Sequence, residues 1–312
     1  MTETIQEVKD EWVITVLGRE VSGQALGRVK EILAEHGLSA DAGEKLSHET
    51  GSYVCYQVHA IGEPLDAGRM RNTFLALSDE MAVDVAFQKT REFRRERLLF
   101  VFDMDSTLIQ GEVIDELAKM AGVADRVVAI TASAMRGEIE FQESFRRRVA
   151  LLAGLSEARV EELLERIPLM EGTERLFRTL KARGAKTAIL SGGFTFFGGY
   201  LKERLGVDYV FANELDVDAD GFVTGEVQGR IVDGARKAEL LVEIAGREGI
   251  PLEQAVAVGD GANDLPMLRL AGMGVAFHAK PVVRASAAFS VTHVGLDGLL
   301  YLLGVPDWEW AE

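Results

Sequence analysis

The stretch VFDMDSTLIQGEVIDELA, residues 101–118, decides how this chain is read. An apolar run from Leu98 to Phe102 has the character of a buried strand, yet it ends on Asp103 and Asp105, followed by Ser106, Thr107 and an acidic helix start. A strand covered on both faces has no packing use for two carboxylates at its tip. In open α/β sheets, ligands collect beyond the carboxyl ends of the strands. The two aspartates are therefore expected to hold or attack something there.

Outward from this stretch the pattern is one of alternating strands and helices. LLFVF (98–102), KTAIL (186–190), YVFAN (209–213), AVAVG (255–259) and MGVAF (273–277) are short apolar runs without clean alternation, as parallel strands buried on both faces require. Helical stretches separate them, which predicts a doubly wound α/β sheet. Between Thr107 and the KTAIL strand lies far more chain than one crossover needs, and its helical pattern (112–121, 124–136, 138–153, 156–167) predicts an inserted helical cap at about 111–170. Asp220-Gly221, set between alternating runs, signals a hairpin.

The first ninety residues follow another plan. WVITVLG, SYVCYQVHA and AVDVAFQ read as strands, GQALGRVKEILAEHG and DAGRMRNTFLALSDE as amphipathic helices, and a weaker strand fits within 38–48. The order is βαββαβ, the split-βαβ plan. The predicted organisation is a module over 1–90, a linker at 91–97 and a second domain over 98–312. The basic run KTREFRRER is read as a solvated connector, because a net charge of −16 argues against a nucleic-acid or anionic-membrane partner. Cys55, the single cysteine, sits in an alternating strand and excludes an internal disulfide and a thiolate zinc site. The acidic start lacks the basic flank and apolar stretch of a signal peptide, and no run approaches the ~18 apolar residues of a membrane span, so a cytoplasmic location is expected.

Three strands end in chemically loaded residues: Asp103 and Asp105; Ser191, Gly192 and Gly193; and Asp260, with Asn263 and Asp264 just after. Lys237 lies near a helix start in DGARKAELL. A like-charged pair ~4 Å apart costs on the order of 4 kcal/mol at an effective dielectric of 20, so converging carboxylates need a cation between them. All-oxygen ligands favour a hard ion, and few protein ligands together with a phosphate suit Mg²⁺ better than Ca²⁺. The five histidines show no metal-type spacing.

Together, DMDST after an apolar strand, ILSGG, Lys237 and VGDGAND resemble the four motifs of the haloacid dehalogenase superfamily, in their usual order. DMDSTLIQGEVIDELA, FRRRVALL and AVGDGANDLPML are similar to the phosphoserine phosphatases within it, over residues 98 to about 300. The resemblance implies Mg²⁺-dependent hydrolysis of O-phospho-L-serine through an aspartyl-phosphate. Asp103 would be the nucleophile and Asp105 the acid and then base at the leaving oxygen. Mg²⁺ would be held by Asp103, the Asp105 carbonyl and Asp260. Ser191, the Gly192 amide, Lys237 and Asn263 would hold the phosphoryl oxygens, with Asp264 supporting Lys237 and the metal shell. As a competing reading, Asp103 and Asp105 cap a helix or turn.

Phe141, Phe145, Arg148 and Leu152 are spaced four, three and four apart, one helical face, so Arg148 points inward while Arg146 and Arg147 do not. A guanidinium there needs an anion, either the substrate carboxylate or an acid within the cap. Arg148 matches the family's carboxylate binder, and Glu112 the residue receiving the substrate ammonium. Met135 and Phe141 match pocket-lining positions, although ordinary cap core would also suit both. The N-terminal module resembles an ACT regulatory domain, which implies an amino-acid site or a homodimer through it; Glu20 and Ser22 depart from the usual turn of such domains. Two other readings stand beside this one. One is a phosphatase or phosphotransferase for a different small monoester, such as phosphohomoserine or phosphothreonine; the other is a non-enzymatic phospho-accepting receiver or amino-acid sensor.

Overall fold

The computed structural model describes residues 11–311, so the acidic stretch 1–10, on which the expectation of no leader rests, lies outside the described residues. The chain divides into two compact units: one reaches to Glu96 and includes the segment from Phe289 on, and the other is Arg97–Ala288.

In the first unit the chain runs β1 (Glu11–Gly18), α1 (Gly23–Glu35), β2 (Ser39–Ala40), β3 (Glu44–Lys45), β4 (Val54–Ile61), α2 (Ala67–Met81) and β5 (Asp84–Lys89). The sheet order β2-β4-β1-β5, with β3 also on β4, is the split-βαβ topology the pattern predicts. Trp12, Ile14 and Val16 alternate onto one face and share a core with Val29 and Leu33 of α1 and Phe74 of α2. Both helices begin on a side-chain cap: Ser22 accepts from the Ala25 amide at 3.1 Å and Asp66 from the Arg69 amide at 2.9 Å. A short helix, α3 (Thr90–Phe93), opens the predicted linker.

The C-terminal segment departs from expectation. The sequence pattern carries the second domain to residue 312, but residues from Phe289 on group with the first unit. Val85 and Phe87 pack into the helix-covered core, so Asp84 and Gln88 alternate onto the other face. There the Asp84 carboxylate accepts from the Thr292 and His293 amides at 2.8 and 2.9 Å, and Gln88 Nε2 donates to the Leu302 carbonyl at 2.9 Å. Buried polar groups on that face need partners, and this segment supplies them.

The second unit contains β6 (Leu99–Phe102), α4 (Val113–Met120), α5 (Ala124–Met135), α6 (Phe141–Ala150), α7 (Glu157–Glu161), α8 (Thr173–Ala182), β7 (Lys186–Phe194), α9 (Thr195–Leu205), β8 (Tyr209–Val217), β9 (Val223–Gln228), α10 (Gly234–Glu248), β10 (Ala255–Gly259), α11 (Leu265–Leu270), β11 (Met273–Phe277) and α12 (Pro281–Ser286). Its strands lie in the order β11-β10-β6-β7-β8-β9. All neighbours are parallel except β8 and β9, which form the predicted hairpin. Gly221 turns it at φ 80°. β6, β10 and β11 are buried at every residue, which is why their sequences show no alternation.

Helices α4 to α7 form the inserted cap. Its two stems are stitched by the Gln110 amide to the Pro168 carbonyl and the Met170 amide to the Leu108 carbonyl, each at 2.9 Å. The β8–β9 hairpin reaches back to the cap, where Val223 exchanges backbone hydrogen bonds with Gly154 and Leu155 at 2.8 and 2.9 Å. No helix among the described residues is long and apolar enough to cross a membrane. Cys55 is buried, and burial pushes its thiol well above the ordinary range, as an inert core cysteine requires.

Candidate active site

Strand β6 lies between β10 and β7, so residues leaving these three strands at their carboxyl ends must meet. The Asp103 amide continues the ladder to the Val258 carbonyl at 2.9 Å, and this fixes the side chain just beyond the sheet. Asp103 Oδ1 accepts from the Met104 amide and the Lys237 ammonium, both at 2.7 Å. Its second oxygen makes no hydrogen bond among the described residues.

Lys237 has no solvent exposure and also donates to Asp264 Oδ1 at 2.7 Å. It comes from the first turns of α10, which is capped by Asp233 accepting from the Arg236 amide at 2.9 Å. Burial works against the ammonium, but Asp103 and Asp264 outweigh it and hold the lysine above its ordinary pKa. Asp264 is equally buried, and its other oxygen takes the Gly261 amide at 2.9 Å. Asp260, at the end of β10, accepts from the Thr107 hydroxyl at 3.2 Å.

Carboxylate oxygens of Asp103, Asp260 and Asp264 all lie within 4.8 Å of one another. At that separation and an effective dielectric of 20, each pair repels by roughly 3–4 kcal/mol, while each 2.7 Å contact to Lys237 returns roughly 6 kcal/mol. The lysine thus about balances the mutual repulsion. It leaves the desolvation of three carboxylates uncompensated, several kcal/mol for each ion. Burial, together with Asp264, pushes Asp103 well above the usual carboxylate range and Asp260 up to about 7. An all-oxygen cluster with this deficit fits a hard divalent cation. The cluster draws in Asp264, which the sequence resemblance casts in a supporting role, and it does not include the Asp105 side chain.

Asp105 does act as a helix cap: its Oδ1 accepts from the Val113 amide at 3.0 Å at the start of α4. Burial, reinforced by the Glu112 carboxylate, raises it to about 8, so it keeps its proton at neutral pH. Glu112 occupies the N-cap position of α4 without making a capping hydrogen bond, and instead accepts from the Ser106 hydroxyl at 3.1 Å. The carboxylate is therefore not spent on the helix end.

Ser191 is fully buried where β7 runs on past its apolar stretch, and its hydroxyl accepts from the Gly193 amide at 2.8 Å. Gly193 has no room for a side chain, since an added Cβ would lie 2.5 Å from Asp105 Oδ2. Asn263 follows at the 3-10 turn before α11, and its backbone carbonyl lies 2.5 Å from where a Cβ on Gly234 would stand, so it abuts the start of the lysine helix.

The cap face comes out as the spacing predicts. Phe145 and Leu152 are buried, Arg148 is half-buried, and Arg146 and Arg147 are exposed. Burial depresses the Arg148 pKa against the pull of Glu112, Asp115 and Asp105, and its Nε is buried without a hydrogen-bond partner. The Phe141 ring comes within 3.4 Å of a Cβ placed on Gly192, and a row of rings from Phe141 through Phe145 to Phe194 joins α6 to the end of β7. Met135 differs. It is 66% exposed at the end of α5, so the structure does not bring it into an enclosed pocket. Helical periodicity shows which residues share a face but not whether anything covers that face. Two contributors went unread in sequence: Thr107, which holds Asp260, and Gln142, whose Nε2 donates to Asp233 at 2.7 Å and ties the cap to the cap residue of α10.

Residues 100–269 match the family model of the haloacid dehalogenase-like hydrolases. A phosphoserine phosphatase of Streptomyces coelicolor is 43% identical over 298 residues, 95% of this chain and 71% of that one. The chain belongs to the haloacid dehalogenase-like hydrolases, among the phosphoserine phosphatases. Two solved structures of the family share the architecture over nearly the whole chain. A haloacid dehalogenase family hydrolase from Salmonella enterica serovar Typhi superposes with a TM-score of 0.82 at 31% identity, covering 94% of this chain and 98% of that one. A probable phosphoserine phosphatase from Vibrio cholerae, unliganded, superposes with a TM-score of 0.75 at 35% identity, covering 97% and 88%. Phosphatases of this family generally use a metal ion, and the Asp103, Asp260 and Asp264 cluster offers it a place.

Proposed function

We propose that this chain hydrolyses O-phospho-L-serine to L-serine and phosphate through an aspartyl-phosphate on Asp103. The observation that carries the reading is the disposition of Asp103: Lys237 and the Met104 amide hold one of its oxygens and leave the other free for phosphorus, at the tip of a central strand. Attack by that oxygen splits one difficult displacement into two easier ones. Asp105, two residues on and raised to about 8, gives its proton to the leaving serine oxygen and then takes one from the water that cleaves the acyl-phosphate. The Ser191 hydroxyl, filled as an acceptor by Gly193, has its own proton to offer to a phosphoryl oxygen. The Gly192 amide and the Lys237 ammonium supply further donors aimed at charge that develops in the transition state, and Asn263 assists.

The cation proposed for the acidic cluster is Mg²⁺, held by Asp103 and Asp260 with the Asp105 carbonyl, and Asp264 alongside. It would neutralise phosphate charge as a Lewis acid. Selection for an amino-acid ester falls to the cap. Arg148, with its buried unpartnered Nε, suits the substrate carboxylate as a planar two-point partner, and Glu112 suits the ammonium. Phe141 closes over Gly192 and excludes water from the phosphate. The split-βαβ topology of the first unit supports reading it as an ACT-like accessory module.

The test is phosphate release from phosphoserine, phosphothreonine, phosphohomoserine and p-nitrophenyl phosphate, with Mg²⁺ and with EDTA. Phosphoserine should lead by at least tenfold in kcat/KM, and EDTA should silence every substrate. A panel led by another monoester, or turnover indifferent to EDTA, overturns the assignment.

A further inference from the structure

The ladder between β7 and β8 is interrupted where it reaches the site. Leu190 pairs with Phe211, but the next pair is Phe194 with Asn213, so Ser191, Gly192 and Gly193 swing out of register. One side chain fills the interruption. Asn213, 1% exposed, donates from Nδ2 to the Gly192 carbonyl at 2.9 Å and accepts at Oδ1 from the Val232 amide at 2.8 Å. Val232 directly precedes Asp233, the cap of α10, and Lys237 follows one turn later with its amide bonded to the Asp233 carbonyl at 2.9 Å.

The Asn213 carboxamide therefore spans the two halves of the phosphate cradle. On one side it pins the peptide between Gly192 and Gly193, whose N–H in turn fills the Ser191 hydroxyl. On the other it fixes the point from which the lysine helix departs. A carboxamide is rigid, so the two bonds set a distance as well as satisfying two backbone groups. Donors to a phosphoryl group are effective only when preorganised, and a misplacement near 1 Å costs up to about 10²-fold.

We propose that Asn213 is a positioning residue for phosphoryl transfer, setting the spacing between the Ser191–Gly192 donors and the Lys237 ammonium. The proposal rests on the reading of the site as a phosphatase. A plain filler of the bulge would stabilise the fold and nothing more, so the two roles separate experimentally.

The experiment takes the full chain as Asn213→Ala, which removes both bonds, and Asn213→Asp, which is isosteric, keeps the acceptor for Val232 and sets a carboxylate oxygen against the Gly192 carbonyl. Leu180→Ala, a buried change in α8 away from the site, controls for lost stability. Readouts are kcat with p-nitrophenyl phosphate, competitive inhibition by inorganic phosphate, and the thermal midpoint. Both Asn213 variants should lose 10- to 100-fold in kcat and bind inorganic phosphate at least tenfold more weakly, whereas Leu180→Ala should lower the midpoint and leave kcat and phosphate inhibition within twofold. Asn213 variants that match the wild type in both kinetic readouts, or that differ from it no more than Leu180→Ala does, overturn the inference. A wild-type chain that releases phosphate from no monoester overturns the phosphatase reading instead.

Discussion

Replacing Asp103 by Asn should raise the metal-free stability of this protein while ending its turnover. The amide keeps Oδ1 as an acceptor for Met104 and Lys237 but carries no charge. Up to two like-charged pairs vanish, with Asp260 and Asp264 within 4.8 Å, each worth at most roughly 3–4 kcal/mol at an effective dielectric of 20, the value reached when both partners are ionised. Against them stands the lost charge on the 2.7 Å contact to Lys237, roughly 6 kcal/mol on the same scale. The Coulomb changes nearly cancel, so desolvation decides the sign, and the neutral amide avoids a penalty of several kcal/mol. A net gain of about 1–3 kcal/mol corresponds to a rise of about 2–12 °C in thermal midpoint for a unit of this size. The assay is circular-dichroism melting of wild type and variant at neutral pH, first in EDTA and then in Mg²⁺. In EDTA the variant should melt higher; with Mg²⁺ the wild type should gain far more and close the gap. Phosphate release by the variant should fall at least 10³-fold. A variant that melts lower than wild type in EDTA would refute the claim that the acidic cluster is under electrostatic strain without a cation.

Three further outcomes follow from named contacts. Arg148→Ala should raise KM for phosphoserine at least 30-fold while changing p-nitrophenyl phosphate hydrolysis less than threefold; equal losses on both substrates would make the arginine a structural element of the cap. Metal-free stability should rise as pH falls from about 8 to 5, because Asp105 and Asp260 hold their protons to about 8 and about 7 when folded but release them near 3.8 when unfolded. Melting in EDTA at pH 5, 6, 7 and 8 checks the sign, and a midpoint that climbs with pH contradicts it. Gly193→Ala should cut kcat at least tenfold with the midpoint lowered by only a few degrees, since its Cβ would lie 2.5 Å from Asp105 Oδ2 and 2.8 Å from Met104 Cε, flexible atoms that yield at the expense of the catalytic geometry.

Much of this architecture is legible in the sequence because parallel strands and cap helices carry distinct periods, and because loaded residues at the ends of apolar runs must converge in a doubly wound sheet. Asp103, Ser191 and Asp260 are readable on those grounds. What escapes is contact between segments far apart in the chain. Thr107 holds Asp260 across 153 positions, and nothing in DSTL announces it. The C-terminal apolar residues look alike whichever sheet they cover, so their place in the first unit rests on Asp84 and Gln88, whose need for partners shows only once the register is known. Asn213 did leave a trace, a lone amide closing the apolar run YVFAN, but its meaning depends on a bulge in the neighbouring strand.

The charge around the site also explains how so acidic a chain can receive a phosphate. Six carboxyl groups, Asp103, Asp105, Glu112, Asp115, Asp260 and Asp264, share one electrostatic network with two cations, Lys237 and Arg148, among the described residues. A phosphomonoester dianion entering that field would be repelled unless the imbalance were first reduced. Protonation of Asp105 removes one charge, and its raised pKa makes that the resting state at neutral pH. A divalent cation at the acidic cluster removes two more. Cation and phosphate must then each strengthen the other's binding, and by linkage the factor is the same in both directions. If inorganic phosphate bound equally well in EDTA and in saturating Mg²⁺, this charge balance would be wrong even with every residue in its assigned place. A tightening of at least tenfold with Mg²⁺, matched by an equal tightening of Mg²⁺ with phosphate, is what the site demands.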